Sequence, residues 1–207
     1  MDEARQVREF WFGKLPLNAG LLKARVQFWF ADDTPAKLLR QRDETIGARF
    51  GGLVEQAAAG ELASWADSPR RRLSLIILLD QFPRSIYRGT ARAFAYDQQA
   101  LGLTLSGMQS AADGALDVIE RIFFYMPLQH SESREAQDES VAAYRRLLTE
   151  APQELRGTFE EALHSADLHR SIIEQFGRFP HRNRALGRID TPEEASWLRS
   201  GGVSFAQ

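Results

Sequence analysis

The chain has 207 residues, 43% of them hydrophobic and 26% charged, which is enough apolar material to bury a core and the charge content of an ordinary water-exposed protein. Its formal net charge of −2 lacks the basic excess of a general nucleic-acid binder, and the absence of cysteine excludes disulfides, thiolate catalysis and cysteine-ligated metal. The longest apolar run, Leu75-Ile76-Ile77-Leu78-Leu79, is far short of a membrane span, and no N-terminal stretch reads as a secretion signal, so the expected location is the cytoplasm.

In chain order, Asp2 is placed to cap a first helix running through Phe12, with Val7, Phe10 and Trp11 on one side and Gly13 and Pro16 ending it. A second apolar pattern covers Leu21, Leu22, Val26, Phe28, Trp29 and Phe30. Thr34-Pro35 reads as a cap followed by proline at the first helical position. The helix behind it carries Leu38, Leu39, Ile46, Phe50, Leu53 and Val54 at spacings near three and four, with Gly51-Gly52 predicting an interruption or a kink. Ser68-Pro69 repeats the start signal. The helix over 70–81 is basic at its start and then apolar all round, the mark of a buried central helix, and Phe82-Pro83 is expected to stop it.

Thr90 is a cap for the next helix, which carries Ala93, Phe94, Leu101, Leu103 and Leu105. Asp113 opens another with Leu116, Ile119, Ile122, Phe123 and Tyr125, stopped by Met126-Pro127. Ser131 caps a helix toward Leu148, and Pro152 starts a long one through Phe176 that ends at Gly177 and Pro180. Thr191-Pro192-Glu193-Glu194 is a capping box with proline at the first helical position. No segment alternates with period two, and no Asn-Gly hairpin turn occurs. The expectation is an all-α fold of about nine to eleven helices with short connections, as a single domain over 1–207.

One phrase occurs almost twice. Gln81-Phe82-Pro83-Arg84 leads to Tyr87-Arg88-Gly89, and Arg178-Phe179-Pro180-His181-Arg182-Asn183 leads to Leu186-Gly187. Each follows a long apolar pattern and carries clustered cations. The echo suggests two related halves, or it is a chance recurrence of a dipeptide.

Four polar clusters fall at expected helix ends. Asp80, Gln81, Arg84 and Arg88 close the most apolar helix; Asp80 either pairs with an arginine to fix the turn or serves as a pocket carboxylate, because an unpartnered carboxylate there would be costly to bury. His130 and Glu132 sit beside Ser131, where a helix start favours anions; Glu132 also suits a plain first-turn acid. Asp167, His169 and Arg170 lie on the long helix, where Arg170 can pair with Asp167 or Glu174 and His169 can be a satisfied core histidine. Arg178, His181, Arg182, Asn183 and Arg184 look like an anion-binding loop, or a solvated basic one. Of the 26 basic residues, 23 are arginine, the cation suited to bidentate carboxylate or phosphate contacts, although genomic composition also yields such a bias.

No Gly-x-Ser-x-Gly elbow, phosphate-binding glycine loop or dinucleotide fingerprint is present, so no cofactor is expected. No metal is expected either, since His130-x-Glu132 lacks helical His-Glu-x-x-His register and nearby arginines oppose a cation.

The same residues carry a resemblance. Leu79-Asp80-Gln81-Phe82-Pro83-Arg84 with Tyr87-Arg88-Gly89-Thr90, Tyr125-Met126-Pro127-Leu128 with His130-Ser131-Glu132, and Phe176-Gly177-Arg178-Phe179-Pro180-His181-Arg182-Asn183 resemble three signatures of the domain-of-unknown-function family 924. Phe10-Trp11-Phe12-Gly13 and Trp29-Phe30 resemble its N-terminal aromatic pattern. The resemblance implies an all-helical, tetratricopeptide-like α-α superhelix and brings no assigned activity.

The leading expectation is a pocket for a small anionic ligand. Arg84, Arg88, Glu132, His169, Arg178, Arg182 and Asn183 are its candidate binding residues, and His130, His181 and Asp80 its candidate acid-base groups. A peptide-binding helical module and a purely structural ion-pair network are the alternatives, and the sequence does not set the oligomeric state.

Overall fold

A computed structural model of the chain describes residues 2–30 and 35–202, and no β-strand occurs among them. Helices α1 (Glu3–Phe12), α2 (Ala19–Phe30) and α3 (Ala36–Ala58) come first. A rod follows, made of α4 (Pro69–Ile76), a π-helical turn (Ile77–Gln81) and α5 (Phe82–Ile86). Then come α6 (Asp97–Gln109), α7 (Val118–His130), α8 (Arg134–Glu150) and α9 (Arg156–Phe176). A 3-10 turn (Pro180–Arg182), α10 (Asn183–Leu186) and α11 (Pro192–Arg199) complete the described chain. The all-α expectation holds, and no helix among the described residues is long and apolar enough to cross a membrane.

The rod is the centre, as its apolar run predicts: every residue from Leu73 to Asp80 is buried. The two N-terminal aromatic runs interlock around it. Trp11 meets Phe28, Phe82 and Phe123 edge-on at 5.7, 5.6 and 5.5 Å, and Trp29 meets Phe123 at 4.7 Å. Such tilted contacts suit aromatic quadrupoles. The Trp29 Nε1–H donates to the Trp11 carbonyl at 2.8 Å, so α2 is tied to the end of α1. Gly13, just past α1, has φ +74°, a backbone conformation that favours glycine, and a Cβ there would stand 2.5 Å from the Arg25 guanidinium and displace it.

Both mid-chain prolines fail to act as stops. Pro83 lies inside the rod: the register widens just before it, the Phe82 N–H reaching back to the Ile77 carbonyl, and the Arg84 guanidinium donates to the Asp80 carbonyl at 2.5 Å. A π turn lets the helix absorb a residue that cannot donate. Pro127 lies inside α7. It cannot bond to Phe123, and neighbouring carbonyls are taken up from outside, Ile122 by the Tyr144 hydroxyl at 2.6 Å and Phe124 by Thr104 at 2.9 Å. The third stop does hold. α9 ends on Gly177 in the left-handed region at φ +70°.

Other boundaries shift for local reasons. α7 opens on Asp117, not Asp113, through a reciprocal capping box with Glu120. α8 is capped by Ser133, whose oxygen accepts from the Ala136 N–H, while Ser131 ends α7. Asp2 precedes α1 without a side-chain cap bond. The Thr34 cap lies outside the described residues.

α3 runs unbroken through Gly51-Gly52, and a methyl at either would meet nothing within 4 Å. At Gly107 on α6, by contrast, a Cβ would stand 2.5 Å from the buried Phe124 ring and 2.9 Å from Arg72. Chemical denaturation should therefore show Gly51→Ala and Gly52→Ala each gaining about 0.5–1 kcal/mol by helix propensity, and Gly107→Val losing about 1–3 kcal/mol by overpacking.

Candidate functional site

Asp80 leaves the π turn with no solvent exposure. Its carboxylate is met by His130 Nδ1 at 2.7 Å, Gln81 Nε2 at 2.5 Å and Arg84 at 3.3 Å. Burial opposes its ionisation, but the Arg84 charge and the hydrogen bonds from His130 and Gln81 outweigh that and hold it below the usual carboxylate range. An ionised carboxylate only accepts, so the His130 proton sits on Nδ1 and its lone pair on Nε2. Burial and the Arg84 charge push the His130 pKa below 6.5, which keeps the ring neutral at pH 7.

Arg84 also forms a fork with Asp97, at 2.9 and 3.0 Å. Arg182 reaches the same carboxylate at 3.3 Å and donates to the His130 carbonyl at 3.0 Å. The two echoed Phe-Pro segments thus meet on one acid. Arg182 lies between the rings of Phe94 and Phe179, 4.7 and 4.5 Å from their centroids. Burial and the Arg84 charge lower its pKa to about 10, so it stays cationic at neutral pH.

The end of α7 is itself buried, so its orphan carbonyls need partners. Gln137 donates to Gln129 and Ser131 at 2.7 Å each, and Arg182 serves His130. His169, from α9, donates from Nδ1 to the Ser165 carbonyl at 2.8 Å. Burial and then the nearby His130 drive its pKa well below 6.5.

A cavity of about 550 Å³ opens against this network. Trp11, Val26, Trp29, Phe30, Ile122 and Met126 make an apolar wall; Gln81, Arg84, Gln129, His130 and His169 face the polar part. Arg42 and Arg88 complete it. Both are bonded to Asp43, at 3.1 Å from Arg42 Nη2 and 2.9 Å from Arg88 Nε, and Arg42 also donates to the Phe28 carbonyl at 2.6 Å. Burial lowers the Arg42 pKa against the opposing pull of Asp43.

The structure brings together part of what the sequence singled out. Arg84, Arg88, His130 and His169 line the cavity, and Asp80 stands directly behind His130. Arg182 supports the network from behind. Glu132, from the second cluster, and Arg178 and Asn183, from the fourth, are directed elsewhere. Glu132 accepts from the Phe179 N–H at 2.8 Å and from Arg188 at 2.8 and 3.0 Å. Arg178 forks onto Glu194 at 2.6 and 2.7 Å, and Asn183 donates to Asp190 at 2.7 Å. These bonds lock the segment after α9 onto the body. His181 packs on Phe179, ring centroids 5.4 Å apart, and is not among the lining residues.

Arg170 pairs across to Asp138 at 2.6 Å, not along its own helix. Sequence reasoning missed Asp97, Arg42 and Asp43. Asp97 had only its place in the first turn of α6 to mark it, and Arg42-Asp43 reads as an ordinary charged pair on a helix. No group of three or more His, Asp or Glu that could hold a metal ion occurs among the described residues.

Comparison with known proteins agrees with the motif resemblance. The profile of a family described as bacterial protein of unknown function (DUF924) matches residues 7–202. No curated protein matches the chain. Among solved structures, the chain is similar to the protein of unknown function ATU0120 from Agrobacterium tumefaciens, at 34% identity and a TM-score of 0.78, covering 96% of this chain and 98% of that one. With signatures, profile and fold in agreement, the chain belongs to the DUF924 family of bacterial proteins.

Proposed function

We propose that the cavity binds a small anionic ligand, held by Arg42 and Arg88 with Arg84 behind them, and that His130 Nε2 is the group able to exchange a proton with it. The observation that carries this reading is the convergence of three arginines, Arg42, Arg84 and Arg88, with His130 on the lining of one cavity. Arg42 and Arg88 repel each other, but this is the smallest influence on Arg42, whose pKa is lowered chiefly by burial against the opposing pull of Asp43. An anion between them relieves the repulsion and matches the bidentate geometry of arginine. The Asp80–His130 pair supports a proton-transfer role, because a buried carboxylate orients a neutral imidazole whose second nitrogen belongs to a cavity-lining ring.

One observation favours the structural alternative for part of the cluster: Arg84 and Arg182 both bond Asp97. The two roles separate by mutation. Arg84→Gln removes the cation shared by buried Asp80 and half-buried Asp97 and should cost about 3–5 kcal/mol in denaturant unfolding. Arg88→Gln should cost under about 1 kcal/mol while weakening acetate and phosphate, titrated by NMR at the Trp11 and Trp29 indole signals, by about tenfold. Undiminished binding in Arg88→Gln, or no shift at either indole in the natural protein, would sink the anion reading.

His130 and His169 set a pH dependence. Both have folded pKa values below 6.5, so below that pH the unfolded chain binds more protons than the folded one and stability falls. The melting temperature should drop as pH is lowered from about 7 to 5, above the range where carboxylates titrate. In His169→Gln the drop should be shallower; an unchanged slope would show that His169 does not contribute.

A further inference from the structure

Resting on that reading, we infer that the ligand is an amphiphile: a carboxylate-type anion joined to an apolar chain or ring. Much of the lining is apolar, with Trp11, Trp29, Ile122 and Met126 presenting largely hydrocarbon surface beside the arginines. A bare anion such as phosphate would engage the arginines and leave this wall without an apolar partner. Apolar surface at the site also extends outward. Phe30 lines the cavity and is 40% exposed, and α2, which carries it, buries only Leu22 and Trp29. Exposed aromatic surface continuous with a cavity wall marks a place where apolar material is covered on binding.

At about 550 Å³ the space lies in the usual range for sites that enclose a small organic molecule.

The test compares octanoate, acetate and 1-octanol by two-dimensional NMR, following the four indole N–H signals. Octanoate should move the signals of Trp11 and Trp29 and leave Trp65 and Trp197, which are not lining residues, in place. Each buried methylene is worth roughly fourfold in affinity. With half of its extra chain buried, octanoate should bind on the order of 100-fold tighter than acetate. It should also bind about tenfold tighter than octanol through the charge alone. Arg88→Gln should bring octanoate to the level of octanol, with Arg88→Lys restoring part of the difference and a dispersed spectrum reporting the fold. Ala162→Phe, which adds bulk to the cavity wall, should lower octanoate and octanol together and spare acetate.

Acetate binding as tightly as octanoate would overturn the amphiphile and leave the anion reading standing. Octanol binding as tightly as octanoate would overturn the charged end, and the anion reading with it. No movement of the Trp11 and Trp29 signals at saturating octanoate would remove both.

Discussion

A carboxylate with no solvent exposure, Asp80, is the constraint on which the rest of the structure depends. Its charge is tolerable only because several donors converge on it, two from its own rod and one from a distant helix. Gln81 and Arg84 come from the same rod, and His130 from the end of α7. Arg84 brings a second charge into the interior, which Asp97 neutralises, and Asp97 in turn draws in Arg182 from beyond α9. The ion pairs thus join the rod, α6, α7 and the segment after α9 at one place.

The prolines are part of the same arrangement. Pro83 and Pro127 each remove a helical hydrogen bond from buried backbone, and side chains bond to carbonyls close by: Arg84 to Asp80, Tyr144 to Ile122 and Thr104 to Phe124. Further along α7, Gln137 and Arg182 satisfy its buried last turn. These bonds hold His130 from both sides, ring and backbone, which gives the imidazole a fixed orientation toward the cavity it lines. A site built on such rigid elements is preorganised, since little side-chain freedom remains to be lost when a ligand binds.

The cavity sits where two kinds of packing meet. On one side is the aromatic interlock of α1, α2 and α7, and on the other the ionic network around Asp80. α2 belongs chiefly to the first. It is fixed by Trp29 and Arg25 to the carbonyls ending α1, and by Arg42 to the carbonyls ending α2 itself. Arg42 therefore couples the apolar wall of the cavity to the Asp43–Arg88 pair. The segment after α9 does a different job: Glu132, Arg188, Asn183 and Glu194 tie it down in a chain of bonds, and that delivers Arg182 to Asp97.

The all-α class, the buried central rod, the capping box at Thr191, the stop at Gly177 and the family were legible in the sequence, because helical periodicity, caps and short motifs are local signals. Asp117-Val118-Ile119-Glu120 was equally legible as a capping box, yet Asp113 four residues earlier competed with it. What the sequence by itself determined was which residues are chemically capable: a buried-end carboxylate at Asp80, cations after each Phe-Pro, a histidine at 130. Only the tertiary structure decided that the prolines lie inside helices, that Arg178 and Asn183 serve a clasp, and that Asp97 and Asp43 organise the arginines. The reason is distance along the chain. His130 meets Asp80 across 50 residues, Arg182 meets Asp97 across 85, and Arg88 meets Asp43 across 45. Such partners are chosen by how helices pack, which no local spacing encodes.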